Sequence, residues 1–385
     1  MLLAPDRTPS QRLLRLVHAD NAPRRQLPAS AASGRMGTME EQATDVQLTP
    51  ERLAQQLTPW LIEVTDDPGP HTVERLSGGN SNETLLVSSP SAVRVMRRPP
   101  AATIDSSAHN MEREYRMLMA LADTHVPVPR PVGTSREPFP GGTPALLMEH
   151  LDGVSLTAEL PQNYPAGATA TVAFAAIDAL ADLHSLPWRD LGLADFGRPE
   201  QFLERQVGRW EKQYAMYRHR DLPDFDIVAR WLEANRPPEG EPGILHGDFH
   251  VDNCLFTREA PVRLLAIIDW EMSTIGDPLL DVGLLLGLWG SDRPEPRAMP
   301  KIQGFSTAAD APAREELARR YEERSGRSLE HLNYYMALAL WKLAAIVEGA
   351  HFHFQSGRLQ TEYARQLGED VPRLLAEARV FTERA

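Results

Sequence analysis

The chain has 385 residues, 42% of them hydrophobic and 24% charged, which is typical of a soluble globular protein with room for two domains and a large core. Its net charge of −13 argues against nucleic acid as a partner, because proteins that bind a phosphate backbone need a basic surface. No apolar run reaches the roughly 20 residues of a membrane span, and the single cysteine, Cys254, excludes an internal disulfide and favours a reducing, cytoplasmic location.

Residues 1–45 differ from the rest of the chain. They are rich in Pro, Ala and Ser, and up to Gly37 they hold six arginines but only two acids. Such a composition fits an organellar transit peptide. It equally fits a disordered extension, or an upstream start codon with translation beginning at Met36 or Met39. We expect residues 1–45 to be disordered or mis-started.

The segment 46–150 predicts a helix (48–61) followed by a small β-rich region with one inserted helix. Thr49 is a good N-cap, Pro50 suits the first helical position, and Leu53 and Leu57 recur at helical spacing. The further elements predicted here are a strand, Gly-rich turn and strand (72–89), a strand (91–100), an amphipathic helix (110–123) and a buried strand running into a turn (143–153).

The segment 151–385 predicts a mainly helical region. Apolar residues recur on one face of three stretches, and one apolar strand ends on acidic residues. These are the helices 170–186, 201–217 and 226–235 and the strand 263–271. The apolar stretches 279–289 and 334–350 contain charged residues and predict buried helices rather than membrane spans.

The stretch HGDFHVDN (246–253) concentrates ionisable side chains before the strand AIID. A strand-loop-strand arrangement would bring Asp248, Asn253 and Asp269 to one edge. Carboxylate and amide oxygens suit Mg²⁺ rather than Zn²⁺. A kinase needs a base for the acceptor hydroxyl, an amide oxygen on a metal and a carboxylate on the metal. The spacing D-x-x-x-x-N is that of the protein-kinase catalytic loop.

Two alternatives remain for this motif. In an extended loop, His246, Asp248, His250 and Asp252 would all point the same way and could be the ligands of a metallohydrolase. Zinc hydrolases usually have further histidine ligands downstream. The downstream histidines here, His351 and His353, lie at the end of a predicted helix, which disfavours this alternative. The motif could also be an ordinary polar loop between strands.

The Gly-rich turn LSGGNSN (76–82) could cover phosphates, because Gly78 and Gly79 let backbone amides approach them and Ser81 adds a hydroxyl. The same residues also suit a simple hairpin turn. In LLMEHLDG (146–153), Glu149 and Leu151 offer backbone donors and acceptors for an adenine.

The strand after the turn carries Arg94, Arg97 and Arg98. A phosphate-binding region needs one fixed cation here, held by a carboxylate of the following helix. Glu112 and Glu114 are both candidates for that carboxylate. The alternative is an exposed strand edge with solvated arginines.

Taken together, HGDFHVDN and IIDWE resemble the catalytic and metal loops of the aminoglycoside phosphotransferase and choline kinase-like family. The runs LSGGNSN, VMRRPP, EREYRMLMAL, LMEHLDG, LADLH, GLADFGRPEQFLERQVGRW and GDPLLDVG resemble one branch, the kinase-like domain fused to some acyl-CoA dehydrogenases. The resemblance covers residues 50–380. It implies an α+β, bilobal protein-kinase-like fold, with a small β-rich N-lobe (46–150) and a larger, mainly helical C-lobe (151–385).

The same resemblance implies an enzyme that transfers a phosphate from ATP or GTP, with Mg²⁺, to a hydroxyl of a small molecule. Its implied site residues are Asp248 as catalytic base, Asn253 and Asp269 as Mg²⁺ ligands, Arg97 with its partner Glu114, residues 78–82 over the phosphates and residues 149–151 at the adenine. Arg97 departs from the wider family, in which a lysine is usual, and arginine and lysine are not interchangeable. A nucleotide-binding regulatory protein without turnover is therefore a second hypothesis. The acceptor and the oligomeric state are not encoded in any motif.

Overall fold

The structure is a computed structural model that describes residues 49–76, 82–99, 111–135, 144–290 and 292–384. Its helices are α1 (Pro50–Thr65), α2 (Met111–Leu121), α3 (Ala168–His184), α4 (Phe202–Tyr217), α5 (Pro223–Ala234), α6 (Leu279–Gly287), α7 (Arg314–Ser325), α8 (Leu332–Gln355) and α9 (Glu362–Glu383). Its strands are β1 (Thr72–Arg75), β2 (Glu83–Ser88), β3 (Val93–Arg98), β4 (Pro131–Thr134), β5 (Leu146–Glu149), β6 (Gly153–Ser155), β7 (Gly243–Leu245), β8 (Cys254–Thr257), β9 (Leu264–Ile267) and β10 (Thr274–Gly276).

The first helix begins where its cap predicts. Thr49 is extended, and its hydroxyl accepts a hydrogen bond from the Arg52 amide at 3.4 Å, while Pro50 occupies the first turn. Leu53 and Leu57 are buried against the sheet. The helix continues to Thr65, four residues beyond the predicted end.

Five antiparallel strands form the first sheet in the order β1-β2-β3-β5-β4. Side chains alternate between its two faces. Met96 and Leu147 pack with α1 in one core cluster, whereas Leu146 and Met148 join the second cluster with α2. Arg97 follows Met96 in the strand and therefore faces α2. The strand that carries it is internal, which corrects the alternative of an exposed strand edge.

Helices form most of the structure after residue 155, with α8 near the centre of the larger core. Packed around α8 are α4, α5, α6 and α9. Two small sheets complete this part, β10-β7 and β6-β8-β9. Within the described ranges, no helix is both long and apolar enough to cross a membrane.

The predicted elements agree with the observed ones to within a few residues. The predicted helices 170–186, 201–217 and 226–235 correspond to α3, α4 and α5. The Gly-rich turn predicted at 76–82 lies largely outside the described residues. The lobe boundary near residue 150 stays a prediction. The last strand of the first sheet along the chain ends at Glu149, and the next helix, α3, begins at Ala168.

Candidate active site

The HGDFHVDN loop connects β7 to β8, and its backbone is clamped by a distant carboxylate. Asp281 in α6 accepts hydrogen bonds from the amides of His246 at 2.6 Å and Gly247 at 2.9 Å. Gly247 has a φ of +87°, and a Cβ at this position would lie 2.3 Å from the carbonyl oxygen of Met272. Only glycine fits both conditions. The loop is therefore sharply bent and held in one conformation.

Because of this bend, the four ionisable residues of the motif do not point the same way. His246 is fully buried, and its Nε2 lies 2.8 Å from the carbonyl of Ile268. Its Nδ1 accepts a hydrogen bond from the Asp248 amide at 3.3 Å, so Nε2 is the nitrogen that carries the proton. His246 thus ties two loops together, and the four-ligand arrangement of an extended loop is not formed.

Asp248 and Asn253 are in direct contact. The Asn253 amide nitrogen donates to the Asp248 carbonyl at 2.9 Å and to its carboxylate at 3.3 Å. These two bonds use the amide nitrogen of Asn253 and not its side-chain oxygen.

Asp269 follows β9 in the left-handed region, with a φ of 68°, which is unusual for a residue other than glycine. Trp270, buried beside it, donates from its indole nitrogen to the Ile267 carbonyl at 2.9 Å and fixes this turn.

The charge of Asp248 is balanced by His250. The His250 ring lies 3.6 Å from the Asp248 carboxylate and 3.5 Å from that of Asp252. Burial alone would raise the pKa of Asp248, but the facing His250, His246 and Lys342 lower it below its ordinary value. Burial alone would likewise lower the pKa of His250, and the two carboxylates raise it to about 10. At neutral pH the Asp248 carboxylate is therefore ionised.

Arg97 connects the first sheet to the loop of Asp269. Its guanidinium donates to Glu114 of α2 and, at 2.7 Å, to the Asp269 carboxylate, and it lies 3.6 Å from Glu271. Burial would lower the pKa of Arg97, but Glu114, Asp269 and Glu271 raise it above its ordinary value. Of the two carboxylates predicted as its partner, the structure places Glu114 there. Arg94 instead lies 3.6 Å from Asp67, and Arg98 donates to Glu83.

A cavity of about 500 Å³ opens beside these residues. Its polar part is formed by the side chains of the two loops together with nearby acids, namely Asp248, His250, Asp252, Asn253, Asp269 and Glu271. The remaining wall is largely apolar and comes from α6, the 299–302 segment and α8. Its apolar side chains are Leu280, Leu284, Leu288, Met299, Ile302, Ala339, Leu343, Ile346 and Val347, and Met272 from the loop after β9 adds to them.

The structure brings some predicted site residues together and not others. Asp248, Asn253 and Asp269 line the same cavity, whereas Glu149 and Leu151 lie outside its lining. The amide of Glu149 already donates to the Arg130 carbonyl, and the Leu151 carbonyl accepts from Gly153, both at 2.9 Å. The role of Glu149 and Leu151 at an adenine stays a prediction. Gly78, Gly79 and Ser81 lie outside the described residues.

Sequence analysis missed Lys342 as a site residue. This buried lysine of α8 donates to the Gly247 carbonyl at 2.6 Å and lines the cavity. Burial lowers its pKa, and Asp281 and Asp248 partly oppose this effect. One signal was available in the sequence. The chain holds only three lysines, and Lys342 lies within the mainly apolar stretch 334–350. A second one, Lys301, also lines the cavity.

The donor atoms fit the chemistry of Mg²⁺ better than that of a caged transition metal. Asn253 and Asp269 offer hard oxygen atoms, and Mg²⁺ commonly takes one or two protein ligands and fills the rest of its octahedron with water and phosphate. Among the described residues, no three or more His, Cys, Asp or Glu side chains are grouped to hold a metal ion by themselves. His246, one ligand of the metallohydrolase alternative, is committed to backbone partners.

The chain matches a known enzyme family over most of its length. A model of the phosphotransferase enzyme family matches residues 72–327. Acyl-CoA dehydrogenase family member 11 of Gallus gallus is 32% identical over 322 residues, which cover 82% of this chain and 41% of that protein. The Homo sapiens protein of the same name is 32% identical over 299 residues, covering 76% of this chain and 37% of that protein. The chain thus spans about two fifths of the length of these curated relatives.

Solved structures share the fold. A candidate aminoglycoside phosphotransferase from Ralstonia eutropha has a TM-score of 0.72 and 28% identity, covering 86% of this chain and 98% of that one. A choline kinase from Cryptosporidium parvum has a TM-score of 0.54 and 14% identity, covering 84% and 95%. A spectinomycin phosphotransferase in complex with ADP and spectinomycin has a TM-score of 0.55 and 13% identity, covering 86% and 98%. The fold is therefore kinase-like and of the α+β class, as predicted.

Proposed function

The chain belongs to the phosphotransferase enzyme family, and from that premise we propose that it transfers the γ-phosphoryl group of ATP to a hydroxyl of a small molecule. The observation that carries this proposal is the meeting of Asp248, Asn253 and Asp269 on one cavity, with the Arg97–Glu114 pair contacting Asp269. Phosphoryl transfer needs little covalent chemistry from a protein, so that positioning and charge stabilisation decide its rate.

Asp248 acts as the catalytic base. Its side chain is 39% exposed, so an acceptor in the cavity can reach it, and its pKa is lowered, so that it is ionised when the acceptor binds. The carboxylate then accepts a hydrogen bond from the acceptor hydroxyl, orients its oxygen toward the phosphorus and takes the proton as the new bond forms. The bonds of its backbone and of Asn253 fix its position.

Asn253 and Asp269 are the residues that would hold Mg²⁺. The ion would neutralise charge on the transferred phosphoryl group, as it does in kinases generally. The contact of the Asn253 amide nitrogen with Asp248 supports this role, because it leaves the harder donor, the amide oxygen, for a cation.

Arg97 takes the place of the lysine usual in kinases. The guanidinium has several donors, so it can keep its contact with Glu114 while it binds a phosphate oxygen. In the structure its second nitrogen donates to Asp269. Nucleotide binding would therefore exchange one partner of Arg97, and Glu114 would hold the side chain in place.

The apolar wall of the cavity suggests which acceptors to try. Hydrophobic side chains form most of the wall around a space of about 500 Å³ next to Asp248. A pocket of this kind favours ligands with an apolar portion, by about 0.8 kcal/mol for each buried CH₂ group. We expect the acceptor to carry its hydroxyl beside such a portion. In matched series of hydroxy compounds, kcat/KM should rise about three- to four-fold with each added methylene until the cavity is full.

A thermal-shift titration tests the nucleotide site without knowledge of the acceptor. Purified protein is heated with ATP and with GTP, each with and without Mg²⁺, alongside Asp269→Ala. A ligand that binds only the folded state raises the melting temperature. We expect a Mg²⁺-dependent rise that Asp269→Ala removes and that the surface variant Asp310→Ala retains. If millimolar nucleotide produces no rise in the wild-type protein, the proposal fails.

One observation favours a second candidate, a nucleotide-binding protein without turnover. Asp269, the proposed metal ligand, is already bound to Arg97 at 2.7 Å, and this pair could resist the exchange that catalysis needs. ATP binding with no phosphorylated product across a broad panel of hydroxy compounds would favour this candidate.

A cytoplasmic location stays a prediction from the single cysteine.

A further inference from the structure

The run GLADFGRPEQFLERQVGRW (192–210) has no part in the function proposed above. It folds into a loop followed by the first half of α4. Three of its arginines, Arg198, Arg205 and Arg209, line a cavity of about 330 Å³ together with Thr274 of β10. We name this space the arginine cavity. It shares no lining residue with the cavity of Asp248.

The positive charge of the arginine cavity is not neutralised within the described part of the chain. The side chains of Arg198 and Arg209 make no hydrogen bond or ion pair there, and Arg209 only approaches the Trp210 ring, at 4.9 Å. Arg205 donates to backbone carbonyls, those of Glu200 and Arg198, rather than to a carboxylate. Three exposed arginines thus line one space in a protein whose net charge is −13.

The one carboxylate in the lining does not change this balance. Asp195 is bound by Arg116 through both of its oxygens, so its charge is already compensated by an arginine outside the lining. The pKa of Arg209 is lowered, first by partial desolvation and then by the nearby charge of Arg205. The arginines therefore repel one another, and an anion between them would relieve that repulsion.

The wall of the cavity is held in place by close packing. A Cβ at Gly197 would lie 2.6 Å from the Ile275 amide nitrogen and 2.9 Å from the Thr274 hydroxyl, so glycine alone lets the loop press against β10. This packing brings the Thr274 hydroxyl to the arginines as a further donor. Gln206 is also fixed, because its side-chain oxygen accepts from the Trp210 indole at 3.1 Å.

We propose that the arginine cavity binds a phosphate group carried by a small molecule. Guanidinium groups offer planar pairs of donors that match phosphate oxygens, and such charge-assisted bonds are about twice as strong as neutral ones. A space of about 330 Å³ is at the lower end of ligand pockets and exceeds what a single phosphate needs. The site is separate from the proposed nucleotide site and does not depend on it.

A ligand here would contact the residues that position α2. Phe196 of the lining lies 3.7 Å from Arg113, whose guanidinium stacks on its ring and donates to its carbonyl at 2.5 Å. The same guanidinium donates to the Ser273 carbonyl at 3.1 Å, four residues after Asp269. Arg113 directly precedes Glu114 in α2, so that its contact with Phe196 links the arginine cavity to the Arg97 network.

Calorimetric titration with inorganic phosphate and with glycerol 2-phosphate, in low salt with EDTA, tests the proposal. EDTA removes Mg²⁺, so that no metal-bound phosphate contributes to the signal, and loss of binding in the arginine variants assigns it to the arginine cavity. We expect one molecule of probe to bind per chain, and Arg209→Gln or Arg198→Gln to weaken this binding about ten-fold or more. Arg320→Gln is the matched control, because Arg320 is a surface arginine of α7 bound to Asp178. Tighter binding of the ester than of free phosphate identifies a phosphorylated small molecule as the ligand.

The same variants keep the two proposals distinct. Arg198 is exposed and without a partner in the described structure, so Arg198→Gln should fold normally, which circular dichroism checks. The Mg²⁺-dependent thermal shift with ATP should be the same in Arg198→Gln as in the wild type. The arginine cavity has no such ligand if neither probe binds the wild type at about 10 mM, or if the cavity variants bind as tightly as Arg320→Gln.

Discussion

The cavity of Asp248, the acidic cavity, is lined by four carboxylates, and the arginine cavity is lined by three guanidinium groups. The two cavities differ in how those charges are satisfied. In the acidic cavity each carboxylate has a partner within the fold: His250 faces Asp248, Arg97 faces Asp269, and Asn82 donates to Glu271 at 2.5 Å. In the arginine cavity the guanidinium groups have no carboxylate of their own. Charges that the fold compensates can be held in fixed positions for chemistry. Charges that it leaves uncompensated are available to a ligand.

The largest expected effect comes from the acidic cavity. Asp248→Asn keeps the shape of the side chain but removes the base, so turnover should fall about 10²- to 10⁴-fold, while the Mg²⁺-dependent thermal shift with ATP stays the same. Phosphorylated product is measured by mass spectrometry with a responsive acceptor. Asp310→Asn, on the surface, is the control. A variant with more than about a tenth of the wild-type turnover would show that Asp248 is not the base.

Removal of a compensated charge should cost far more stability than removal of an uncompensated one. Arg97→Met leaves Glu114 buried without its cation and should lower the free energy of unfolding by about 3–5 kcal/mol. Arg209→Met should change it by less than about 1 kcal/mol, since no carboxylate loses a partner. Urea unfolding measures both.

A double variant separates lost charge pairing from lost packing. If the stranded carboxylate causes the instability of Arg97→Met, then adding Glu114→Leu should recover a large part of it. Equal losses in Arg97→Met and Arg209→Met would remove the contrast between the cavities.

Two glycines, one beside each cavity, differ in whether the backbone tolerates a side chain. Gly247→Ala places a methyl group 2.3 Å from the Met272 carbonyl oxygen at a φ of +87°, so it should destabilise the fold by at least about 1–3 kcal/mol. Gly208 in α4 has open space around its Cβ position, so Gly208→Ala should stabilise by about 0.5–1 kcal/mol. Thermal melts should move in opposite directions, and the same direction for both would contradict this account.

The smallest expected effect concerns Asp281, the carboxylate that binds the backbone of the HGDFHVDN loop. His184 is buried, and its ring lies 3.5 Å from Asp281, the carboxylate that holds His246 and Gly247. Burial lowers the pKa of His184 below its ordinary value of 6.5 despite this acid. As pH falls through 6.5, the unfolded chain binds a proton that the folded chain resists, so stability declines toward the lowered pKa.

A variant without a titrating group isolates this contribution. In urea unfolding between pH 7 and pH 5, His184→Gln should lose less stability than the wild type, whereas above pH 7 the difference between the two should be constant. An unchanged slope in the variant would show that His184 does not contribute.

Local features of this chain were predictable because neighbours in sequence decide them. Thr49 caps its own helix three residues on, and the apolar spacing of α3, α4 and α5 needs only helical geometry. The pair Asp248 and Asn253 is also local, since five residues separate atoms that the structure places 3.3 Å apart. The resemblance to the family also rests on motifs of this length.

The sequence alone thus determined the family, the fold class, the order of the elements that it predicted and the spacing of Asp248 and Asn253 in the HGDFHVDN loop. Only the tertiary structure decided that Asp281 clamps this loop from 34 and 35 residues away, that Lys342 reaches it from α8, and that Arg97 meets Asp269 across 172 residues. It also placed Glu114 against Arg97, the choice that the resemblance implied and that helical spacing alone left open. Contacts between distant segments depend on how whole elements pack, and the short-range pattern of a sequence does not specify that packing.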